Sequence, residues 1–280
     1  MFSNNVTIIL IKYFRHTAII MTDFIDLNAD LGEGFGRYSM GDDDAMLDLV
    51  SSINLACGFH AGDPCIMANT LSKAKAKGID VGAHPSFRDL HGFGRREVRG
   101  IPANELRNLI IYQIGALQGL AKAGGYHLTH VRAHGALGNM SDAEPEMAAV
   151  LAEAIAVVDS DLKLMTLPCS AADRAATGLG LGVVRQVFAD RAYNDDGSLV
   201  SRREKGAVIH DADFAADRII GLLENGFIES VNGNQLKMDI DTVMVHGDTG
   251  AAVQMTEATR LRLENNGVRI NAFSKTNNDN

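Results

Sequence analysis

Asp-Leu-Asn-Ala-Asp-Leu-Gly-Glu-Gly-Phe-Gly, at Asp26–Gly36, is the stretch from which the rest of the chain can be read. Around it the residues alternate: Ile25, Leu27, Ala29 and Leu31 fall on one side of an extended chain, Asp26, Asn28 and Asp30 on the other. Period two marks a strand with two unlike faces. A purely structural face would not carry two carboxylates and an amide. Glycines at Gly32, Gly34 and Gly36 then let the backbone turn just past the strand end. A second stretch, Asn54-Leu-Ala-Cys-Gly-Phe-His-Ala-Gly-Asp-Pro64, repeats the design: an apolar run, then His60, then Asp63 in a glycine-bounded turn. Two such strand ends form the floor of a candidate site.

Working outward, strand and helix alternate along the chain. Strands are expected at about Phe24–Ala29, Ser52–Ala56, Gly78–His84, His127–Ala133, Lys163–Leu167, Gly182–Ala189 and Thr242–Val245, with a possible terminal strand at Val268–Ala272. Helices are expected between them. One covers Asp42–Val50. Another starts at Pro64, where proline suits a first turn, and stops at Gly78. A long one runs from Ala103 after Pro102 to Ala123 before Gly124-Gly125. Others cover Pro145–Val158, Ala212–Glu224 and Ala251–Glu264. Such alternation implies a parallel sheet with helices outside, either an open sheet or a closed barrel. The strand ends favour the barrel. Strands two, three, four and seven are followed by His60, His84, His134 and His246, and the first ends in Asp30. Only a closed ring brings the first and last of these together, and barrel enzymes place their chemistry on that rim. The expected fold is therefore α/β, a β/α barrel of seven strands, or eight if the tail strand joins. Residues 21–273 form its single domain. Residues 1–20 are an N-terminal extension, or an extra element on the domain edge, and 274–280 are a polar tail.

Composition narrows the function. The chain has 280 residues, 46% of them hydrophobic, which is ample for one large core. A net charge of −9 argues against a nucleic-acid surface. Cys57, Cys65 and Cys169 are the only cysteines, a number that fits a reducing cytoplasm and offers no disulfide framework. No apolar run approaches the length needed to cross a bilayer. Val6–Ile11 lacks a preceding basic residue and a following cleavage site, so it does not read as a signal peptide.

A lone histidine is usually a satisfied core residue, but four at equivalent strand ends point to chemistry. Asp30, His60, His84, His134 and His246 are the candidate catalytic groups. Asp26, Asn28 and Asp30 with a rim histidine could hold a divalent cation, and if a metal is present Asp30, His60 and His84 are its expected ligands. Alternatively the same groups orient an organic substrate by hydrogen bonds. Arg95-Arg96, in Gly92-Phe-Gly-Arg-Arg, suits a carboxylate or phosphate, or simply solvent. Gly178–Gly182 precedes a strand and fails the context of a dinucleotide loop, and no Walker loop occurs. Cys57 shares the parity of Ile53 and Leu55 and reads as packing. His127 and His130 read as structural.

These motifs, with Gly82–Pro85, His134–Leu137, Phe188–Arg191 and His246–Asp248, resemble the LamB/YcsF family from about Asp26 to Gly267. The resemblance implies a seven-stranded barrel like that of the glycoside hydrolase/deacetylase superfamily. It implies ring opening of 5-oxoproline to glutamate coupled to hydrolysis of ATP with magnesium, in a complex with 5-oxoprolinase subunits B and C. Asp26, Asn28, Asn54, Asp63, Arg95, Arg96 and Asp248 are then the expected substrate contacts. The family usually reads Val-Lys-Pro-His-Gly-Ala-Leu-Tyr-Asn at its fourth strand end. Here Arg132, Ala133 and Gly138 replace the lysine, the proline and the tyrosine. Two readings compete: a metal-dependent deacetylase on the same barrel, and a non-catalytic component that only binds a ligand.

Overall fold

A computed structural model describes residues 22–247 and 251–275. The expected extension at 1–20, the tail beyond 275 and Asp248 lie outside the described residues. The first strand, β1 (Phe24–Leu31), is followed by β2 (Ser52–Ala56), β3 (Asp80–His84), β4 (His130–Val131), β5 (Lys163–Thr166) and β6 (Val183–Phe188). A small hairpin of β7 (Phe227–Glu229) and β8 (Gln235–Lys237) stands outside the barrel, and β9 (Thr242–Val245) comes after it. Strands β1 to β6 and then β9 pair in parallel in that order. β9 also pairs back onto β1, with Asp26 opposite Thr242 and Ala29 opposite Val245. The sheet therefore closes as a ring of seven with helices between its strands, as the strand ends imply. The tail strand, β10 (Arg269–Ile270), does not enter the ring. It pairs only with Phe24 and Ile25 at the entry of β1.

Local sequence chemistry explains the outer helices. The first, α1 (Asp43–Met46), is a single turn, shorter than expected. In α2 (Pro64–Lys77), Asp63 caps the N-terminus by accepting from the Cys65 and Ile66 amides, and Gly78 ends the helix in a left-handed conformation. In α3 (Ala103–Ala123), Leu106, Ile110, Ile114, Leu117 and Ala121 recur every three or four residues and are buried. Each large side chain of that stripe contributes about 1.5–3 kcal/mol by leaving water.

Two further expectations need correction. The fourth strand has two residues, because Ala133 and His134 lead directly into α4 (Gly135–Ala143), a helix that periodicity does not reveal in so short a segment. After α5 (Pro145–Val158), α6 (Ala171–Leu179) is likewise hidden in a segment rich in alanine. The remaining helices, α7 (Ala212–Asn225) and α8 (Ala252–Asn265), fall close to their expected places.

The interior differs from end to end. Strand parity turns Asp26, Asn28 and Asp30 inward, with Ser52 and Asn54 from β2, His84 from β3, His130 from β4, and Gln186 and Phe188 from β6. At the bottom, Phe273 packs beside the His130 ring at 5.2 Å and clusters with Met165 and Val184. The chain around it is tied down by Lys275, whose Nζ donates to the Gly78 carbonyl. Gly82 makes room for His130, since a Cβ there would stand 2.3 Å from the imidazole. No helix among the described residues is long and apolar enough to cross a membrane.

Candidate active site

At the carboxyl ends of the strands, Glu33, His60, His84 and His134 bring four ligand atoms within 4.8 Å of one another, all buried. His84 is the last residue of β3, and His134 immediately precedes α4. His60 comes from the turn after β2, closed by the Gly58 amide on the Ala61 carbonyl. Glu33 follows Gly32, whose φ of +69° turns the chain off β1. His60 Nε2 is 3.2 Å and His134 Nδ1 3.3 Å from Glu33 Oε1. The His60 and His134 rings stack at 3.8 Å.

The outer partners of two histidines settle their tautomers. His84 Nδ1 stands 2.7 Å from the Arg132 carbonyl, and His134 Nε2 stands 2.8 Å from the Phe93 carbonyl. A carbonyl only accepts, so both these nitrogens carry the proton. Burial, more than any neighbour, holds His60, His84 and His134 below their ordinary value, so all three are neutral. The remaining nitrogens, His84 Nε2 and His134 Nδ1, are then lone-pair donors only 2.9 Å apart. His60 faces the carboxylate with Nε2, and its buried Nδ1 has no hydrogen-bond partner. Lone pairs converging beside a carboxylate, with carbonyls on the far side of two rings, are the pattern of a cation site. Three imidazoles and a carboxylate suit zinc or an iron-type divalent metal.

This donor set contains the expected ligands His60 and His84 but has Glu33 and His134 where Asp30 was expected. Asp30 is held instead by Arg132, whose Nη1 lies 3.0 Å from both carboxylate oxygens and whose Nε donates to Gln186 Oε1 at 2.9 Å. Burial alone would raise the Asp30 carboxyl, but the Arg132 guanidinium holds it well below the usual carboxylate range. Asp30 is therefore an ionised acceptor 3.3 Å from His84 Nε2, at the edge of the four-residue group.

Loop 89–96 covers one side of the cluster. Phe93 has a positive φ of 53°, an uncommon conformation for a side chain of its size, and its ring meets those of His60 and His134 edge-on. Gly94 must be glycine, because a Cβ would stand 2.3 Å from Ser86 Oγ and 2.9 Å from His60 Cβ. Arg95 lies over the Phe93 ring at 5.0 Å. Arg96, itself exposed, pairs instead with the buried Asp89.

The remaining expected residues divide. His246, next to β9, is on the same rim but outside the four-residue group. Its ring stacks on Phe188 at 5.0 Å, and Arg132 packs on that same phenyl ring. Asn54 donates to Asp30 Oδ1 at 2.9 Å and accepts from His130 Nε2 at 2.8 Å. Asp26, Asn28 and Asn54 are fully buried beneath the rim and bonded to one another's neighbours, so they support the site from below instead of meeting a ligand. Asp63 spends its carboxylate on the amides of Gly36, Cys65 and Ile66, fastening the loop after β1 to α2. Cys57 is buried, its thiol pushed up to about 12 by burial, in keeping with a packing role.

Glu33, Arg132 and Asp190 are the partners that sequence reasoning did not place in the site. Glu33 lies beyond the strand, where period two no longer says which way a side chain points. Arg132 had a usable signal, since it shares the inward parity of His130 and His134.

The sequence model of the LamB/YcsF family matches residues 25–278. The chain is 53% identical over 249 residues to the 5-oxoprolinase A subunit of Nitrobacter hamburgensis, covering 89% of this chain and 98% of the relative. It is 51% identical over 251 residues to the 5-oxoprolinase A subunit of Rhodopseudomonas palustris, covering 90% and 99%. Among solved structures, a lactam utilization protein from Thermus thermophilus matches with a TM-score of 0.84 at 40% identity, over 89% of this chain and 99% of that one.

Proposed function

The chain belongs to the LamB/YcsF family, and from that premise we propose that it is the A subunit of a 5-oxoprolinase that opens the lactam of 5-oxo-L-proline to L-glutamate. The observation that carries the chemistry is the buried group of Glu33, His60, His84 and His134 beside an ionised Asp30. A γ-lactam is a stable amide, so ring opening needs its carbonyl polarised, a water deprotonated and its nitrogen protonated. A divalent metal held by the four-residue group would supply the polarisation. Asp30, kept ionised by Arg132, accepts the proton of the attacking water. His246, across Phe188 and Arg132, is the candidate donor to the ring nitrogen. Arg95, at the mouth, suits the carboxylate of the substrate.

ATP with magnesium belongs to the assembled complex in this reading. Neither a Walker loop nor a dinucleotide loop is present in the sequence, so nucleotide binding falls to partner subunits B and C. Their contribution is to activate the lactam, while this barrel completes its hydrolysis. The cytoplasm is the compartment that suits three free cysteines.

The test is glutamate release from 5-oxoproline and ATP by the chain mixed with its partner subunits, together with metal analysis. The complex is expected to be active, and chelation should abolish the activity, with recovery on adding zinc or iron. Glu33→Gln should weaken metal binding at least ~10-fold. An active complex indifferent to His84→Ala would remove this rim from the reaction.

A further inference from the structure

Asp190 and His246 form a second constellation on the rim, separate from the four-residue group. β6 and β9 are neighbours with Phe188 opposite Met244, and Asp190 and His246 each follow within two residues of these paired strands, so the chain brings them side by side at the rim. Asp190 is buried, and both its carboxylate oxygens face His246 Nδ1, at 2.8 and 3.1 Å. Burial would raise the Asp190 carboxyl, but His246 beside it holds it below its ordinary value, so it is an ionised acceptor. Phe188 fixes the imidazole from its face, at an interplanar angle of 17°. The ring thus has its plane set by Phe188 and its Nδ1 set by Asp190.

A carboxylate on one ring nitrogen keeps a proton there and turns the other nitrogen toward the reactants. We propose that Asp190 is the positioning residue that locks His246 as its Nδ1–H form, with Nε2 presented to the leaving nitrogen of the substrate. This rests on the reading of the site as a lactam hydrolase. In the step, water adds to the carbonyl carbon and gives one proton to Asp30. The carbon–nitrogen bond breaks, its electron pair goes to nitrogen, and nitrogen takes the proton that Nε2 of His246 has first taken up from solvent. The proton taken up by Asp30 and the one lost by His246 exchange with solvent, so the balance is lactam plus water to the open amino acid.

The same rim gives its two carboxylates different partners. Asp30 is paired with Arg132 and therefore stays an acceptor. Asp190 is paired with a titratable imidazole, whose second nitrogen can carry a proton to the substrate. Phe188 separates the two pairs while packing on both.

The test has two arms. Nitrogen-15 NMR of the His246 ring in the wild-type chain should show Nδ1–H, and Asp190→Asn, which preserves size, should move the population to Nε2–H. In the assembled complex, Asp190→Asn should lower kcat by ~10²–10⁴-fold with KM changed less than about threefold, and Asp190→Glu should restore part of kcat. A wild-type His246 protonated at Nε2 instead of Nδ1 would overturn the proposal, whether or not any variant folds. So would a folded Asp190→Asn complex with kcat within about threefold of wild type. A wild-type complex that releases no glutamate sinks the functional reading instead, and the tautomer still decides whether Asp190 positions the ring.

Discussion

Asp26 and Asp30 lie on the same face of the same strand, with Asn28 between them, and both are buried. Their chemistry is opposite. Asp26 accepts from the hydroxyls of Ser51, Ser52 and Thr242 at 2.6–2.7 Å, and these hydrogen-bonding partners are all neutral. Burial wins there and pushes its carboxyl up to about 6. Asp30 meets the Arg132 guanidinium, which outweighs the same burial and holds it well below the usual range. Depth in the barrel does not decide whether a buried carboxylate is charged; the charge of its partner does. One barrel thus keeps a firmly ionised carboxylate at its rim and, at its floor, one whose charge burial disfavours.

The largest way to break this contrast is Arg132→Met. Removing one partner of a buried ion pair leaves Asp30 uncompensated, with an expected loss of about 3–5 kcal/mol in urea unfolding. Adding Asp30→Asn to that variant should recover most of the loss, since no orphaned charge remains. A loss under about 1 kcal/mol for Arg132→Met alone would mean that solvent, not Arg132, stabilises Asp30.

Asp26→Asn sharpens the other side. The folded carboxyl is raised to about 6 from an ordinary value of 3.8, so its favourable contribution is complete below 3.8 and lost as pH rises through 6. Across that window wild type should lose about 3 kcal/mol relative to the asparagine variant. Denaturant midpoints of the pair at about pH 4 and about pH 7 measure this. Parallel curves would show that Asp26 ionises as easily in the fold as outside it.

Thr242→Val is the smallest of these changes. It removes one of the hydroxyl donors to Asp26 and should cost about 1.5 kcal/mol at about pH 8, where the carboxylate is charged, and less at about pH 4. Equal losses at both pH values would argue that the hydroxyl acts through packing and not through the charge.

How much of this is legible in the sequence differs by residue. The inward face of β1 is readable, because pleat geometry alone sends alternate side chains to opposite sides. The ends of α2 and α3 are readable from Asp63-Pro64, Gly78, Pro102 and Gly124-Gly125, since caps and breakers act locally. The rim positions of His84, His134 and His246 follow from strand ends. Glu33 is not readable, because the turn at Gly32 breaks the parity that serves up to Leu31. Asp190 looks like one polar residue among several after β6, and only its contact with His246 singles it out. The helices α4 and α6 are too short and too rich in small residues for their periodicity to stand out.

The sequence by itself determined the alternation of strand and helix and the set of polar side chains on one face of each strand, since these arise from neighbours within a few residues, and the polar strand ends pointed to a closed ring. Only the tertiary structure decided which of those side chains meet. Asp30 and Arg132 are 102 residues apart, and no local rule ties one to the other. Their contact, and with it the difference between a stabilised charge at the rim and a disfavoured one at the floor, exists because closing the ring sets distances across the axis, and electrostatic effects in a buried site depend on distance and on the charge of the partner.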